Sequence, residues 1–423
     1  MDAHFQQQIA RVDSVHRWLI AHSGGLDSQV LLSLAARHLP AGKLQVIHIN
    51  HQLQAEAPQW SVFSEAQAKV LGLSHRTIAV SVSKNSENSA RDARYQAFEA
   101  LLQPGDCLLM GHHADDQAET LLFRLLRGAG LTGLSGIPER RSLGPGRIFR
   151  PLLQQPRAVL ESWAQVQGLE WVEDPSNQTA DYDRNYLRLQ VMPLLAQRWP
   201  GFERRWGQTA RVMAESESLL NEYLDRDLKP MMGAAMQLEV ALLPLDAVRR
   251  SAILRRWLQR KGVAVSRAQL ERIERELIGA RRDAQPVLHM SGHSLRRYQG
   301  KLYCLPLQPL QPQPLSASLR VGSYDLGDGM LRIDAGPKGL KSLTGLMLER
   351  RQGGERLHPA GRGGHCSLKK LLQEAGVAPW LRPQIPLIFS DGVLAEVCGY
   401  WVAEDFQADE NDTALRFEWQ YKI

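Results

Sequence analysis

Ser23-Gly24-Gly25-Leu26-Asp27-Ser28 places two hydroxyls, two glycines and a carboxylate within six residues. Phosphate binding uses these parts: glycine lets backbone approach the anion, helix N-terminal N–H groups donate to it, and the helix dipole favours negative charge there. Ser23 and Ser28 add side-chain donors, and Asp27 can ligate the Mg²⁺ that accompanies polyphosphates. An Asp-capped helix after a glycine turn is the plainer alternative, but it does not explain Gly-Gly between serines. The chain has no G-x-x-x-x-G-K-[ST], which argues against γ-phosphoryl transfer by a P-loop enzyme. Gly128-Ala129-Gly130-Leu131-Thr132-Gly133 matches G-x-G-x-x-G, yet it follows a predicted helix where a dinucleotide fingerprint follows a strand. A helix C-cap and loop is expected there.

A second constellation is Gly111-His112-His113-Ala114-Asp115-Asp116-Gln117-Ala118-Glu119-Thr120. On a helix Asp116 and Glu119 share a face and can hold one cation or ammonium group between them. His112, His113 and Asp115 lack zinc-site spacing, and a capped helix with a solvated acidic first turn is the competing explanation. In a third stretch, residues 87–98, Arg91, Arg94 and Tyr95 lie within about one helical turn. Guanidinium groups suit an α-phosphate or developing negative charge, although solvated charges on an amphipathic helix are the commoner meaning of such a pattern.

Positioning these groups requires a sheet edge. Residues 19–22, 44–50, 77–82 and 107–111 read as strands, and 28–37, 60–71, 89–102 and 115–127 as helices. That alternation predicts a doubly wound parallel α/β sheet with ligands at the carboxyl ends of its strands, where residues 23–28 would lie. Helical periodicity dominates 157–228, with a break at Glu173-Asp174-Pro175-Ser176-Asn177. The 423-residue length suggests two or three domains, and three are expected. These are an α/β domain over 1–218, a basic helical domain over 219–305, and a small α+β domain over 317–423. Between the last two, Pro306, Pro309, Pro312 and Pro314 mark a semi-rigid linker over 306–316.

Composition sets wider bounds. Apolar content of 43% and charged content of 23% suit a globular protein. No apolar run nears the ~18 residues of a membrane span, and the N-terminus lacks signal-peptide character, so a cytoplasmic protein is expected. Cys107, Cys304, Cys366 and Cys398 form no C-x-x-C pair and are expected to be idle thiols. The net charge of +6 favours polyanionic partners only if it is concentrated. It is concentrated at Lys341, Arg350, Arg351, Arg356, Arg362, Lys369 and Lys370, and at Arg249, Arg250, Arg255, Arg256, Arg260 and Lys261. Such clusters suit phosphate contacts to RNA; a solvated charged surface is the alternative.

The S-G-G-x-D-S loop after the first strand resembles the PP-loop ATP pyrophosphatases (adenine nucleotide alpha hydrolase-like fold). Taken with His48-Ile49-Asn50-His51, residues 90–98, residues 112–120 running into Arg124-Leu125-Leu126-Arg127-Gly128-Ala129-Gly130, Trp171-Val172-Glu173-Asp174, Arg184-Asn185, Arg188, Lys369-Lys370-Leu371-Leu372 and Pro379-Trp380-Leu381-Arg382, the chain resembles the tRNA(Ile)-lysidine synthetase family. The resemblance covers nearly the whole chain, is weakest from about 219 to 342, and leaves the bulky His22 unexplained.

The resemblance implies a ligase that uses ATP and Mg²⁺ to adenylate the cytidine at the first anticodon position of a CAU-anticodon isoleucine tRNA; free L-lysine then displaces AMP. It implies nucleotide contacts at Ser23, Gly24, Gly25, Leu26, Asp27, Ser28, Asn50, Gly111 and His112, Mg²⁺ at Asp27, and catalytic roles for Asp27, Arg91, Asp116 and Glu119. Arg94, Arg350, Arg351, Arg356, Arg362, Lys369 and Lys370 are the expected tRNA contacts. A homodimer is compatible with the sequence but not required by it. The rival readings are a tRNA 2-thiolase, disfavoured by the scattered cysteines; a glutamine amidotransferase, disfavoured by the absence of a nucleophilic cysteine after Met1; and an inactive tRNA-binding scaffold.

Overall fold

The computed structural model describes the chain except residues 53–55, 82–86, 174–182, 234–235, 282–283, 308–318, 337, 342–344, 410–413 and 423, and gives only backbone for 87 and 88. Most of the expected linker and of the break after Glu173 lies outside the described residues. Two compact units are present, Met1–Leu220 and Asn221–Ile423.

In the first unit, strands β1 (Trp18–Ala21), β2 (Leu44–Asn50), β3 (Ser74–Ala79), β4 (Cys107–Leu109), β5 (Arg140–Leu143) and β6 (Gly146–Phe149) form one sheet in the order β3-β2-β1-β4-β6-β5. All neighbours are parallel except β5 and β6, which form a hairpin. The unit's helices are α1 (Asp2–Ile9), α2 (Leu26–His38), α3 (Ala57–Val70), α4 (Glu87–Leu101), α5 (Ala114–Leu126), α6 (Leu131–Leu134), α7 (Arg157–Val166), α8 (Asp183–Tyr186) and α9 (Met192–Arg198), while α10 (Phe202–Leu228) begins in this unit and ends in the second. A single π-helical turn, Leu187–Val191, joins α8 to α9.

Successive strand residues enter different cores. Trp18, Ile20, Val46 and Leu109 pack with Val30, Leu31 and Leu34 of α2 and Leu160 of α7. Leu19, Ile47, Leu108 and Ile148 pack on the other face with Phe98 of α4. Covering both faces is why the central strands read as unbroken apolar runs. The strand order reverses beside β1, so the carboxyl ends of β1 and β4 adjoin at the switch point where such sheets bind ligands.

Two local expectations shift. The third strand is Ser74–Ala79 rather than 77–82, paired from Gln45↔Ser74 to Asn50↔Ala79. It is a largely exposed edge strand opening on Ser74, His75 and Arg76, so no apolar run marks its start. The β5–β6 hairpin was not anticipated because its four-residue strands carry Arg140, Arg141 and Arg147. Conversely, Gly128 takes φ +68° just beyond α5, and the Ala129 N–H reaches back to the Arg124 carbonyl, as expected of a helix C-cap.

In the second unit, α11 (Ala247–Arg260) and α12 (Arg267–Ile273) share a core with an antiparallel sheet of Leu238–Glu239, Val287–Met290, His293–Tyr298 and Lys301–Pro306. The region read as helical therefore also contains strands. They are short and joined by Ser291-Gly292 and Gln299-Gly300, whose paired positive φ values suit tight hairpins. Beyond residue 320 two further four-stranded antiparallel sheets and α13 (Leu368–Glu374) give the expected α+β character.

Candidate active site

The loop after β1 is stitched by its own serines. Ser28 Oγ donates to the Gly25 carbonyl at 2.9 Å, accepts from the Ser23 N–H at 3.2 Å, and lies 3.1 Å from Ser23 Oγ. Ser28 is buried, and in this structure its hydroxyl donates within the loop. Gly24 has φ +91°, and a Cβ there would meet Val172 Cγ2 at 2.9 Å, while its carbonyl accepts from the Val172 N–H. Gly111, at the end of β4, presses so closely on the same loop that a Cβ would sit 2.8 Å from the Asp27 carbonyl oxygen. The loop and the second constellation are therefore in backbone contact.

His113 joins them through side chains. It caps α5, with its N–H donating to Asp116 Oδ2 at 3.0 Å. Its Nε2 lies 3.5 Å from both Asp27 Oδ2 and Asp116 Oδ2, and its Nδ1 3.6 Å from Asp115 Oδ2. Burial opposes its protonation, but Asp116, Asp115 and Asp27 together raise it well above the ordinary histidine range. Burial also weighs against the Asp116 carboxylate, yet His113 and the other cations bring it down to about 2. A carboxylate so acidic is a poor base but a durable anchor for a cation.

Asp27 Oδ1 is buried and has no hydrogen-bond partner. An orphaned carboxylate oxygen beside this serine- and glycine-rich loop fits one ligand of a Mg²⁺ whose other ligands would be phosphates and water. Among the described residues no cluster of three His, Cys, Asp or Glu side chains forms an all-protein metal site.

Across the site stands a cationic group. Arg91 reaches Tyr95 Oη at 3.4 Å and lies over its ring at 5.0 Å. Arg150, 2% exposed, donates to Tyr95 Oη, to the Pro138 carbonyl and, through Nε, to His112 Nδ1 at 3.1 Å. Burial opposes ionisation of Tyr95, but Arg91, Arg150 and Arg141 lower it below its usual value.

Other expected site residues are occupied differently. Asn50 donates to Ser61 Oγ at 3.0 Å and accepts from the Gln52 N–H, so its amide fastens the β2–α3 turn. Both oxygens of the buried Glu119 are taken by Arg188, at 2.7 and 2.8 Å, while Asp116 is 3.5 Å from the same guanidinium. The expected open pair for an ammonium is therefore half filled: a buried carboxylate cannot remain unpaired, and Arg188 neutralises it. In the second unit Arg350 binds Asp328 at 2.6 Å beneath Trp419, and Arg351 pairs with Glu355, so both are structural. Arg356, Arg362, Lys369 and Lys370 remain exposed, although Arg362 is tied to Glu374. Much of the basic α11 is also neutralised: Asp225 and Asp227 bind Arg256, Arg260 and Arg249.

Residues 1–195 match the family described as a PP-loop domain, residues 240–303 a TilS substrate binding domain, and residues 346–419 a TilS substrate C-terminal domain. Proteins named tRNA(Ile)-lysidine synthase are similar along the whole chain. That of Serratia proteamaculans is 40% identical over 98% of both chains. That of Alkalilimnicola ehrlichii is 40% identical over 92% of this chain and 91% of the relative, and that of Escherichia coli O157:H7 is 38% identical over 95% and 96%. The chain belongs to the tRNA(Ile)-lysidine synthase family.

Membership in the lysidine synthase family makes the residues missed from sequence more informative. Arg150 follows the unanticipated hairpin, and nothing in its neighbourhood marks it as buried. His22, unexplained in sequence, is 2% exposed and bonds Gln29 Oε1 and Ser64 Oγ, each at 2.8 Å. It ties the end of β1 to α2 and α3, and so supports the loop without entering it. No helix among the described residues is long and apolar enough to cross a membrane.

Proposed function

We propose that this lysidine synthase family member ligates free lysine to position 2 of the cytidine at the first anticodon position of isoleucine tRNA bearing CAU, changing codon reading from AUG to AUA. The supporting observation is the meeting of the Ser23–Ser28 cradle with the α5 capping box, where Asp27 and His113 lie 3.5 Å apart. The cradle's N–H groups and Ser23 receive the phosphates of ATP. Mg²⁺ held by Asp27 would supply charge neutralisation on the departing pyrophosphate.

In the first step cytidine O2 attacks the α-phosphorus. The O–P bond forms as the bond to the bridging oxygen breaks, and pyrophosphate leaves with the electron pair. Arg91, steadied on Tyr95, faces the charge on the α-phosphate. In the second step the lysine amine, having lost a proton, attacks C2. The C–N bond forms, the C2–O2 bond breaks, AMP departs with O2, and the nitrogen sheds its second proton to solvent. Asp116 holds the incoming ammonium electrostatically, and Glu119 acts through Arg188. Exposed Lys369, Lys370 and Arg356, with Arg94 in the first unit, supply tRNA phosphate contacts.

The test is to combine protein, ATP, Mg²⁺, radiolabelled lysine and CAU-bearing isoleucine tRNA. Label in the tRNA, with AMP and pyrophosphate in equal amounts, is expected. Label-free tRNA that instead gains sulfur from a sulfur donor would identify a thiolase.

A further inference from the structure

We propose that Arg150 is a positioning residue that locks His112 as the neutral Nε2–H tautomer, making the ring a fixed hydrogen-bond donor to a phosphoryl oxygen at the reacting centre. The argument is one of proton inventory. A guanidinium has only donors and stays charged, so a nitrogen 3.1 Å from Arg150 Nε must accept, and His112 Nδ1 therefore carries no proton. The ring's one hydrogen is then on Nε2, which has no hydrogen-bond partner among the described residues.

Arg150 cannot swing away to break this arrangement. It is fully buried, with one Nη held by the Pro138 carbonyl at 2.7 Å and the other by Tyr95 Oη at 3.3 Å. The groups facing His112 are Asp116 on the following helix α5, Arg91 and Arg94 from α4, and Arg150 beyond β6. Burial and the three arginines outweigh Asp116 and push the ring down to about 3, so it stays neutral through the working pH range. A cation-rich wall with an open neutral donor is suited to an oxyanion, and the adjoining Gly111 touches the phosphate loop. His112 is thus a donor toward the site, whereas its neighbour His113 faces the carboxylates of Asp27, Asp115 and Asp116.

The acceptor named rests on the adenylation reading; the tautomer does not, and it can be measured without turnover. The nitrogen-15 spectrum of the histidine rings, with His112 assigned by its loss in His112→Gln, should show a protonated Nε2 and bare Nδ1 unchanged from about pH 8 to 5. A protonated Nδ1, or titration near the ordinary value, would overturn the lock even if lysine ligation were fully confirmed. In turnover, His112→Gln, whose amide can donate near the Nε2 position, should stay within about tenfold of wild-type kcat. His112→Ala should fall by about 100-fold or more, the usual loss for a donor at a developing oxyanion. Equal losses in both variants, with the tautomer as expected, would remove the donor role. Arg150→Met should move an acidic limb of the kcat/KM profile upward while keeping it below pH 6.5, because burial, Arg91 and Arg94 still disfavour the protonated ring, and Arg150→Lys should return the profile to that of wild type. A wild-type profile that already has the limb at this higher pH, and loses it in His112→Gln, would make His112 a general base and refute the proposal.

Discussion

Arg188 grips Glu119 through two parallel hydrogen bonds of 2.7 and 2.8 Å, on a residue that is 3% exposed. Removing one partner strands a buried charge. Arg188→Ala should therefore cost about 2–4 kcal/mol in urea unfolding, and Glu119→Gln in the same background should recover part of it. Strict additivity of the two single changes would show that the pair is not coupled.

Asp27→Ala should abolish lysine incorporation, a loss of at least about 100-fold, while tRNA affinity by filter binding stays within about threefold. Near-wild-type turnover would remove Asp27 from the chemistry.

Gly111→Ala should raise the KM for ATP by about tenfold or more, because its methyl would press on the Asp27 carbonyl and move the loop. Gly128→Ala is the contrast: open space surrounds it at φ +68°, so it should cost about 1 kcal/mol of stability and leave the KM for ATP unchanged. Comparable ATP defects in both would contradict the contact.

Burial pushes His22 down to about 4, with Gln29 opposing and His48 and His75 assisting. Its folded value lies below the unfolded one of 6.5, so its contribution is present above pH 6.5 and lost as pH falls toward 4. Wild type should lose about 3 kcal/mol more than His22→Gln across that window in urea titrations, and parallel curves would refute the assignment.

Glu396 behaves in the opposite sense. It is buried, Oε2 is unpartnered, and burial lifts it to about 8 against the help of the Phe417 N–H. Its stabilising contribution is therefore present below pH 4.5 and lost as pH rises through 8. Glu396→Gln should exceed wild type by about 2–4 kcal/mol at pH 9 and approach it at pH 5. A constant difference at both pH values would exclude titration as the cause.

The local chemistry was legible along the chain. Gly24-Gly25 between serines, the apolar runs of β1, β2 and β4, and the Gly128 cap each depend on neighbours within a few residues, so composition and spacing specified them. What a side chain faces across the fold was not legible. Glu119 and Arg188 are sixty-nine residues apart, and only packing brings the Arg188 guanidinium onto both Glu119 oxygens and within 3.5 Å of Asp116. Arg150 lies thirty-eight residues from His112, yet its buried guanidinium fixes which ring nitrogen holds the proton. Arg350 and Arg351 looked like free cations because sequence shows charge but not the Asp328 and Glu355 carboxylates that cancel it. The sequence by itself determined which chemical groups were available and that a serine- and glycine-rich loop leads from β1 into α2. The tertiary structure decided their charge states and partners, because burial and distance set the cost of every ionised group.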